Sequence, residues 1–106
     1  MTGAMSRRKG SRAEAAVVNQ LRKWWPNARR NFDSGSAGGG DVTGPAGVSI
    51  EVKCVEKLNI WRALEQAARD ADPLTIPVVV FKRNGTEWFA ALPADELWTL
   101  LKLREA

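Results

Sequence analysis

The sequence has 106 residues, enough for one domain with a hydrophobic core but little more. Histidine is absent and there is a single cysteine, which excludes an intramolecular disulfide, a histidine-based triad and the commonest zinc sites. No apolar run approaches the roughly 18 residues of a membrane helix, and none has the pattern of a signal peptide. We therefore expect a cytoplasmic protein without a membrane partner.

The net charge of +4 is unevenly distributed along the chain. Residues 1–30 contain eight basic residues and one acidic residue, whereas residues 31–106 contain eight basic and eleven acidic residues. A strongly basic end is typical of proteins that bind a polyanion, although it can also serve only to increase solubility. We expect residues 1–10 to form a mobile basic arm and residues 11–106 to form a single domain.

The first predicted helix begins at Ser11, where Ser-Arg-Ala-Glu has the pattern of a capping box, and ends near Trp25, before Pro26. At helical spacing its apolar face consists of Val17, Val18, Leu21, Trp24 and Trp25. Glu14 falls close to the centre of that face, an unusual position for a carboxylate. It either completes the cap or points from the helix into a functional site.

A short strand is predicted at residues 28–32, followed by a glycine-rich loop at residues 33–40. Glycine allows backbone N–H groups to approach phosphates closely, so this loop is a candidate binding loop. It lacks the Gly-Lys-Ser/Thr pattern of a nucleotide-binding loop, and we expect no nucleotide cofactor. A hairpin is then predicted, with strands at residues 41–43 and 48–55.

The second strand of this hairpin carries an unusual set of polar side chains. Because side chains alternate along a strand, Ser49, Glu51 and Lys53 share one face, and four apolar residues occupy the other: Val48, Ile50, Val52 and Cys54. Asp41, ten residues before Glu51, supplies a second carboxylate. Two carboxylates beside an ammonium predict a site for Mg²⁺ or a similar hard cation next to a reacting phosphate.

The rest of the chain alternates between helix and strand signals. A helix is predicted at residues 60–71, strands at residues 76–83 and 86–92 around an Asn-Gly turn, and a last helix from Pro93 to about Leu103. The residues expected to be buried are Ile60, Trp61, Leu64, Ala67, Ala68 and Ala71 in the first of these helices, and Leu97, Leu100 and Leu101 in the second. The solvated side of the first consists of Arg62, Glu65, Gln66 and Arg69. The fold class is α/β, with a mixed central sheet flanked by helices.

This order of elements, with Asp41 followed by Glu51-Val52-Lys53 on adjacent strands, resembles the restriction-endonuclease-like PD-(D/E)XK nuclease core. The proline usual before the first aspartate is Gly40 here. The sequence Arg-Lys-Gly-Ser-x-x-Glu at residues 8–14 is similar to the N-terminal motif of archaeal-type Holliday junction resolvases, as are the pattern at residues 77–82 and the Trp88 that follows it. The likeness covers roughly residues 8–92.

The resemblance implies a role for each matching residue. Asp41, Glu51 and the main-chain carbonyl of Val52 would bind Mg²⁺ or Mn²⁺, Lys53 would orient or activate the attacking water, and Glu14 would complete the catalytic site. Resolvases of this type are homodimers that nick two strands of branched double-stranded DNA symmetrically. Five tryptophans suggest apolar surface beyond one core, and Trp61 and Trp88 are candidates for a dimer interface or for core packing.

Basic side chains supply candidate DNA contacts. We expect backbone phosphate contacts from Arg7, Arg8, Lys9, Arg12, Arg29, Arg30 and Lys57, and the resemblance adds Ser36.

Three alternatives stay open. The polar strand residues could form an ion pair on an edge strand, with Asp41 as a turn residue. The chain could be a repair, flap or restriction-type nuclease of the same superfamily. It could also be a non-catalytic DNA-binding module of that fold.

Overall fold

The computed structural model describes residues 3–32 and 39–106, with side chains from residue 9 onward in those ranges. The glycine-rich segment at residues 33–38, including Ser36, lies outside them. The described elements are, in chain order, α1 (Gly3–Leu21), β1 (Arg29–Arg30), β2 (Val42–Thr43), β3 (Val48–Cys54), α2 (Ile60–Asp70), β4 (Ile76–Lys82), β5 (Phe89–Ala91) and α3 (Ala94–Glu105). None of these helices is long and apolar enough to cross a membrane.

The described strands form one mixed sheet in the order β1-β2-β3-β4-β5. Neighbouring strands are antiparallel except β3 and β4, which are parallel and are connected through α2. Parallel neighbours require such a crossover, and a helix is its usual form. The mixed α/β sheet predicted from the sequence is confirmed. Because β3 lies at the centre of this sheet, the alternative that placed its polar residues on an edge strand is wrong.

The two faces of the sheet are covered by different helices. On one face Ile50 and Val52 pack against the buried Val17 and Val18 of α1, with Trp88 partly buried beside them. On the other face α2 buries Val79 of β4 with two of its alanines, Ala63 and Ala67. The alternation expected along β3 is therefore confirmed, and its polar side chains, Ser49, Glu51 and Lys53, lie on the α2 face.

The first helix is longer at its start and shorter at its end than predicted. It begins at Gly3, so Ser11 lies inside it and the predicted capping box is wrong. It ends at Leu21, where the N–H of Trp25 closes a final turn by donating to the Leu21 carbonyl at 2.7 Å. Trp24 follows the helix and is 76% exposed, so it does not belong to the buried face. Mobility of the basic arm stays a prediction.

The second helix buries a different stripe from the one predicted. Asn59 caps it by accepting a hydrogen bond from the Arg62 N–H at 3.1 Å. Ala63 and Ala67 are buried, whereas Trp61 is exposed. Small side chains let the helix approach the sheet closely, and an indole at this contact would hold the two apart. Trp61 therefore lies on the surface, and the prediction that it belongs to the buried stripe is wrong.

The third helix departs most from expectation. None of its residues is buried, and Leu97 and Leu101 are exposed. Within the described chain, α3 makes no more than marginal contact with any other helix or strand. The prediction that its leucines pack inward is wrong for this single chain.

A close backbone approach connects the start of β2 to β3. Gly40 has a φ of +84° and bridges to Ile50, and a Cβ at Gly40 would lie 2.6 Å from the Ile50 carbonyl oxygen. Real Cβ atoms essentially never come so close to a backbone atom. The residue that replaces the usual proline is therefore constrained both by its backbone angle and by the lack of space for any side chain.

We expect Gly40→Ala to destabilise the protein much more than Gly85→Ala. Gly85 has almost the same φ, +81°, but nothing lies within 4 Å of a Cβ placed there. Gly85→Ala should therefore cost only the left-handed backbone penalty of roughly 1–2 kcal/mol. Gly40→Ala adds the overlap with the Ile50 backbone. Urea unfolding of both variants measures the difference, and equal losses would contradict the steric argument.

Candidate active site

Asp41 is held against β3 from two sides. Its N–H donates to the Ile50 carbonyl at 2.7 Å, and its Oδ2 accepts the Val52 N–H at 2.8 Å. Asn31, which directly follows β1, donates its N–H to the Asp41 carbonyl at 2.8 Å and its Nδ2–H to the Gly40 carbonyl at 3.0 Å. The position of the Asp41 carboxylate is therefore fixed by backbone groups of the sheet.

Glu51 lies on the central strand and is only 5% exposed. Its pKa is raised from 4.5 to about 8, first by burial, then by the charge of Asp41 and a hydrogen bond with it, and then by the charge of Asp70. The positive charge of Lys53 acts in the opposite direction but is outweighed. Without a cation, Glu51 therefore keeps its proton near neutral pH and is hydrogen-bonded to Asp41.

Lys53 reaches across to the helix that covers this face. Its Nζ donates to Gln66 Oε1 of α2 at 3.0 Å. Lys53 forms no ion pair with Glu51 within the described part of the chain. The amide of Gln66 therefore orients the ammonium without neutralising its charge.

Sequence reasoning missed Gln66 and placed it on the solvated side of the helix. Gln66 and Asp70 are four residues apart and lie at the edge of the buried stripe, because the true stripe includes Ala63 rather than Trp61. One feature of the sequence could have identified Gln66 and Asp70 as residues that face the sheet. A row of polar residues on a buried strand face needs polar partners on the helix that covers it.

The donor set at this site suits a hard divalent cation. Asp41 and Glu51 bring two carboxylates together at a buried position where both cannot easily be ionised unless a positive charge neutralises them. No group of three or more acidic or cysteine side chains comes together as metal ligands among the described residues. A cation here would therefore rely on these two carboxylates, main-chain oxygen, water and substrate phosphate, as Mg²⁺ often does.

Glu14 belongs to a separate polar cluster on the α1 side of the sheet. Its Oε1 accepts from Arg30 Nε at 3.0 Å, and the same guanidinium donates to Ser11 Oγ at 3.2 Å. Arg30 also lies 4.8 Å from the centroid of the Phe32 ring. It pairs across β1 and β2 with Val42, the residue after Asp41. Because paired residues share a face of the sheet, Arg30 lies on the α1 face with Val42, whereas Glu51 and Lys53 lie on the α2 face. Glu14 itself contacts Arg30.

The remaining predicted DNA-binding residues are distributed over α1, β1 and the loop after β3. Arg12, Arg29 and Lys57 are exposed, and Lys9 is partly exposed. The side chains of Arg7 and Arg8 lie outside the described residues, as does Ser36. Phosphate contacts by all of these residues stay a prediction.

The sheet, its helices and the Asp41–Glu51–Lys53 arrangement together define a nuclease of the PD-(D/E)XK superfamily, a class whose substrate is DNA. A family model described as "Phage putative PDDEXK endonuclease" matches residues 5–105, and the chain belongs to this family. No curated protein and no solved structure matches the chain. The family match supports the superfamily and an endonuclease activity, and it extends past β5 through α3.

We expect Glu51→Gln to remove a pH-dependent loss of stability in the metal-free protein. A raised pKa means that the folded state binds Glu51's proton more tightly than the unfolded state does. Stability is therefore lost as the pH rises from about 4.5 to about 8 and stays low above that. The glutamine cannot ionise and avoids this loss.

Thermal unfolding in EDTA between pH 5 and 9 measures the effect. The melting temperature of Glu51→Gln relative to wild type should rise across this range. A difference that is independent of pH would show that Asp41, Asp70 and burial do not raise the Glu51 pKa.

We also expect Gln66→Ala to slow DNA cleavage without unfolding the protein. Loss of one hydrogen bond worth on the order of 1 kcal/mol frees the Lys53 side chain, so the rate should fall roughly five- to tenfold. Glu65→Ala, on the exposed side of the same helix, is the control and should cleave at the wild-type rate. Equal rates for both variants would mean that Gln66 does not position Lys53.

Proposed function

We propose that the chain is a metal-dependent, structure-selective DNA endonuclease that resolves four-way junctions by paired symmetric nicks. The observation that carries the nuclease chemistry is the pairing of Asp41 with the buried Glu51, which lies beside Lys53 on the central strand. The junction assignment is supported by the N-terminal motif, since Ser11 and Glu14 of that motif bind the same guanidinium, that of Arg30. The proposed protein acts as a homodimer and uses Mg²⁺ or Mn²⁺.

In this proposal Asp41 and Glu51 hold the cation, with the Val52 carbonyl as a further ligand. When bound there, such a cation would supply Lewis-acid polarisation of the scissile phosphate. Lys53 orients the attacking water and stabilises the negative charge that develops as the new P–O bond forms and the leaving P–O bond breaks. The Gln66 amide holds the Lys53 ammonium in a fixed direction by a hydrogen bond and does not neutralise its positive charge.

Glu14 acts in the proposal through Arg30. The ion pair holds the guanidinium on β1, which pairs with β2, and there it contacts a phosphate of the DNA backbone. Arg7, Arg8, Lys9, Arg12, Arg29, Lys57 and Ser36 contact more distant parts of the DNA backbone. Phosphate contacts set position and salt dependence but read no bases, as structure-selective recognition requires.

The alternative within the same superfamily is a nuclease that acts on duplex DNA or flaps. It is favoured by the family description, which names an endonuclease without naming a junction. A non-catalytic DNA-binding module is less well supported, because Asp41, Glu51 and Lys53 are all present and lie on or beside the same strand.

A cleavage assay separates these possibilities. Synthetic four-way junction, linear duplex and flap substrates are incubated with Mg²⁺, Mn²⁺ or EDTA. We expect paired, symmetric nicks on the junction alone, absent in EDTA. Asp41→Asn should abolish the nicks while retaining junction binding, whereas Asp72→Asn, an exposed aspartate, should behave as wild type.

Each other result selects a different conclusion. Cutting of duplex or flap keeps the nuclease and rejects the junction. Junction binding without cutting under any metal condition rejects the enzyme. Loss of binding together with cutting in a folded Asp41→Asn protein would mean that Asp41 serves DNA binding rather than the chemistry.

A further inference from the structure

The third helix presents an apolar surface that nothing in the described chain covers. Leu103 is 67% exposed, and Leu97 and Leu101 are exposed as well, whereas the exposed Trp98 lies on the other side of the helix from Leu100. Leu100 is only half-buried. No other described helix or strand packs along α3. A helix of 12 residues is marginal in water and normally depends on packing of its apolar side for stability.

The charges of α3 indicate what covers it. Glu96, Leu100 and Arg104 are spaced by four residues and therefore form one stripe along the helix, with Leu97 and Leu103 on its flanks. Neither Glu96 nor Arg104 forms an ion pair in the described part of the chain, whereas Lys102 and Glu105 pair with each other at 3.1 Å. The stripe thus has a free negative charge at one end, a free positive charge at the other and leucine between them.

This pattern is complementary to itself in one orientation. If two copies of α3 cross antiparallel with Leu100 facing the partner's Leu100, Glu96 faces the partner's Arg104, and Leu97 and Leu103 line the two sides of the contact. A parallel pair would instead place like charges opposite each other. We propose that two copies of the chain associate through α3 in this antiparallel arrangement, with a two-fold axis near Leu100.

The α3 pairing would form the interface of the proposed homodimer, and its functional importance rests on the proposed function. The pairing itself does not depend on catalysis. A two-fold axis gives each copy an equivalent interface and relates the two sites by symmetry, as paired symmetric nicks require. One pair of short helices buries less than the roughly 800 Å² per partner of a standard interface, so we expect a dimer of about micromolar rather than nanomolar affinity.

Sedimentation of the full chain without DNA or metal tests the pairing at about 1–300 µM, a range that spans micromolar affinity. Glu96→Lys and Arg104→Glu each place like charges at two symmetry-related contacts, so each should weaken the dimer roughly tenfold or more. The double variant exchanges the two charges and should return the affinity to within about threefold of wild type. Asp95→Lys makes the same charge change on the opposite side of the helix and should have little effect.

Restoration by the double variant supports the pairing, because a folding defect in either single variant would not be repaired by adding the other. A monomer throughout the concentration range overturns it. So does a dimer that the single variants leave unchanged, or one that the double variant fails to restore. Cleavage by a monomeric wild-type protein would overturn the pairing and keep the nuclease, whereas the expected dimer without any cleavage would do the reverse.

Discussion

The contact between the backbones of Gly40 and Ile50 determines the geometry of the site. It brings residue 40 so close to the central strand that Asp41 forms two hydrogen bonds with the main chain of β3. The Asp41 N–H donates to the Ile50 carbonyl, and the Asp41 carboxylate accepts from the Val52 N–H. A residue with a Cβ would move this segment away from β3, and the Asp41 carboxylate would lose the Val52 N–H. The usual proline and the glycine found here are therefore different local solutions: proline restricts the backbone angle, and glycine permits the close approach.

The close approach of Gly40 to Ile50 also makes ionisation of the site unfavourable. Bringing Asp41 next to a buried Glu51 opposes ionisation of the pair, and Asp70 adds to the unfavourable field. The sheet tolerates this because apolar clusters pack on both faces of the same strands and hold the carboxylates in place. A cation bound between the two carboxylates would offset this repulsion, so the same arrangement that is unfavourable without metal would favour metal binding.

The sequence predicts the strand that carries the site better than the helix that supports it. The two-residue period of β3 assigns Ser49, Glu51 and Lys53 to one face without any knowledge of neighbours. The buried face of a helix is harder to predict, because several different stripes of α2 contain enough apolar residues to be buried. The large side chain of Trp61 favours the wrong stripe, and the actual one is rotated by roughly 50° toward the small alanines. That rotation brings Gln66 to Lys53. The prediction that the leucines of α3 pack inward was wrong for a different reason. An apolar stripe indicates that a helix face is buried, but it does not identify the surface that buries it.

The choice of an amide opposite Lys53 follows from the charges already present. A carboxylate at position 66 would bind the ammonium more strongly, but it would neutralise the charge needed at a phosphate and add another negative charge near Glu51 and Asp70. An apolar residue would leave a long, flexible side chain without a fixed direction, and ordering it would then cost entropy during the reaction. Glutamine accepts one hydrogen bond from Lys53 and carries no charge. In the proposed mechanism it would therefore preorganise the Lys53 ammonium for the phosphate while adding no charge near the two carboxylates.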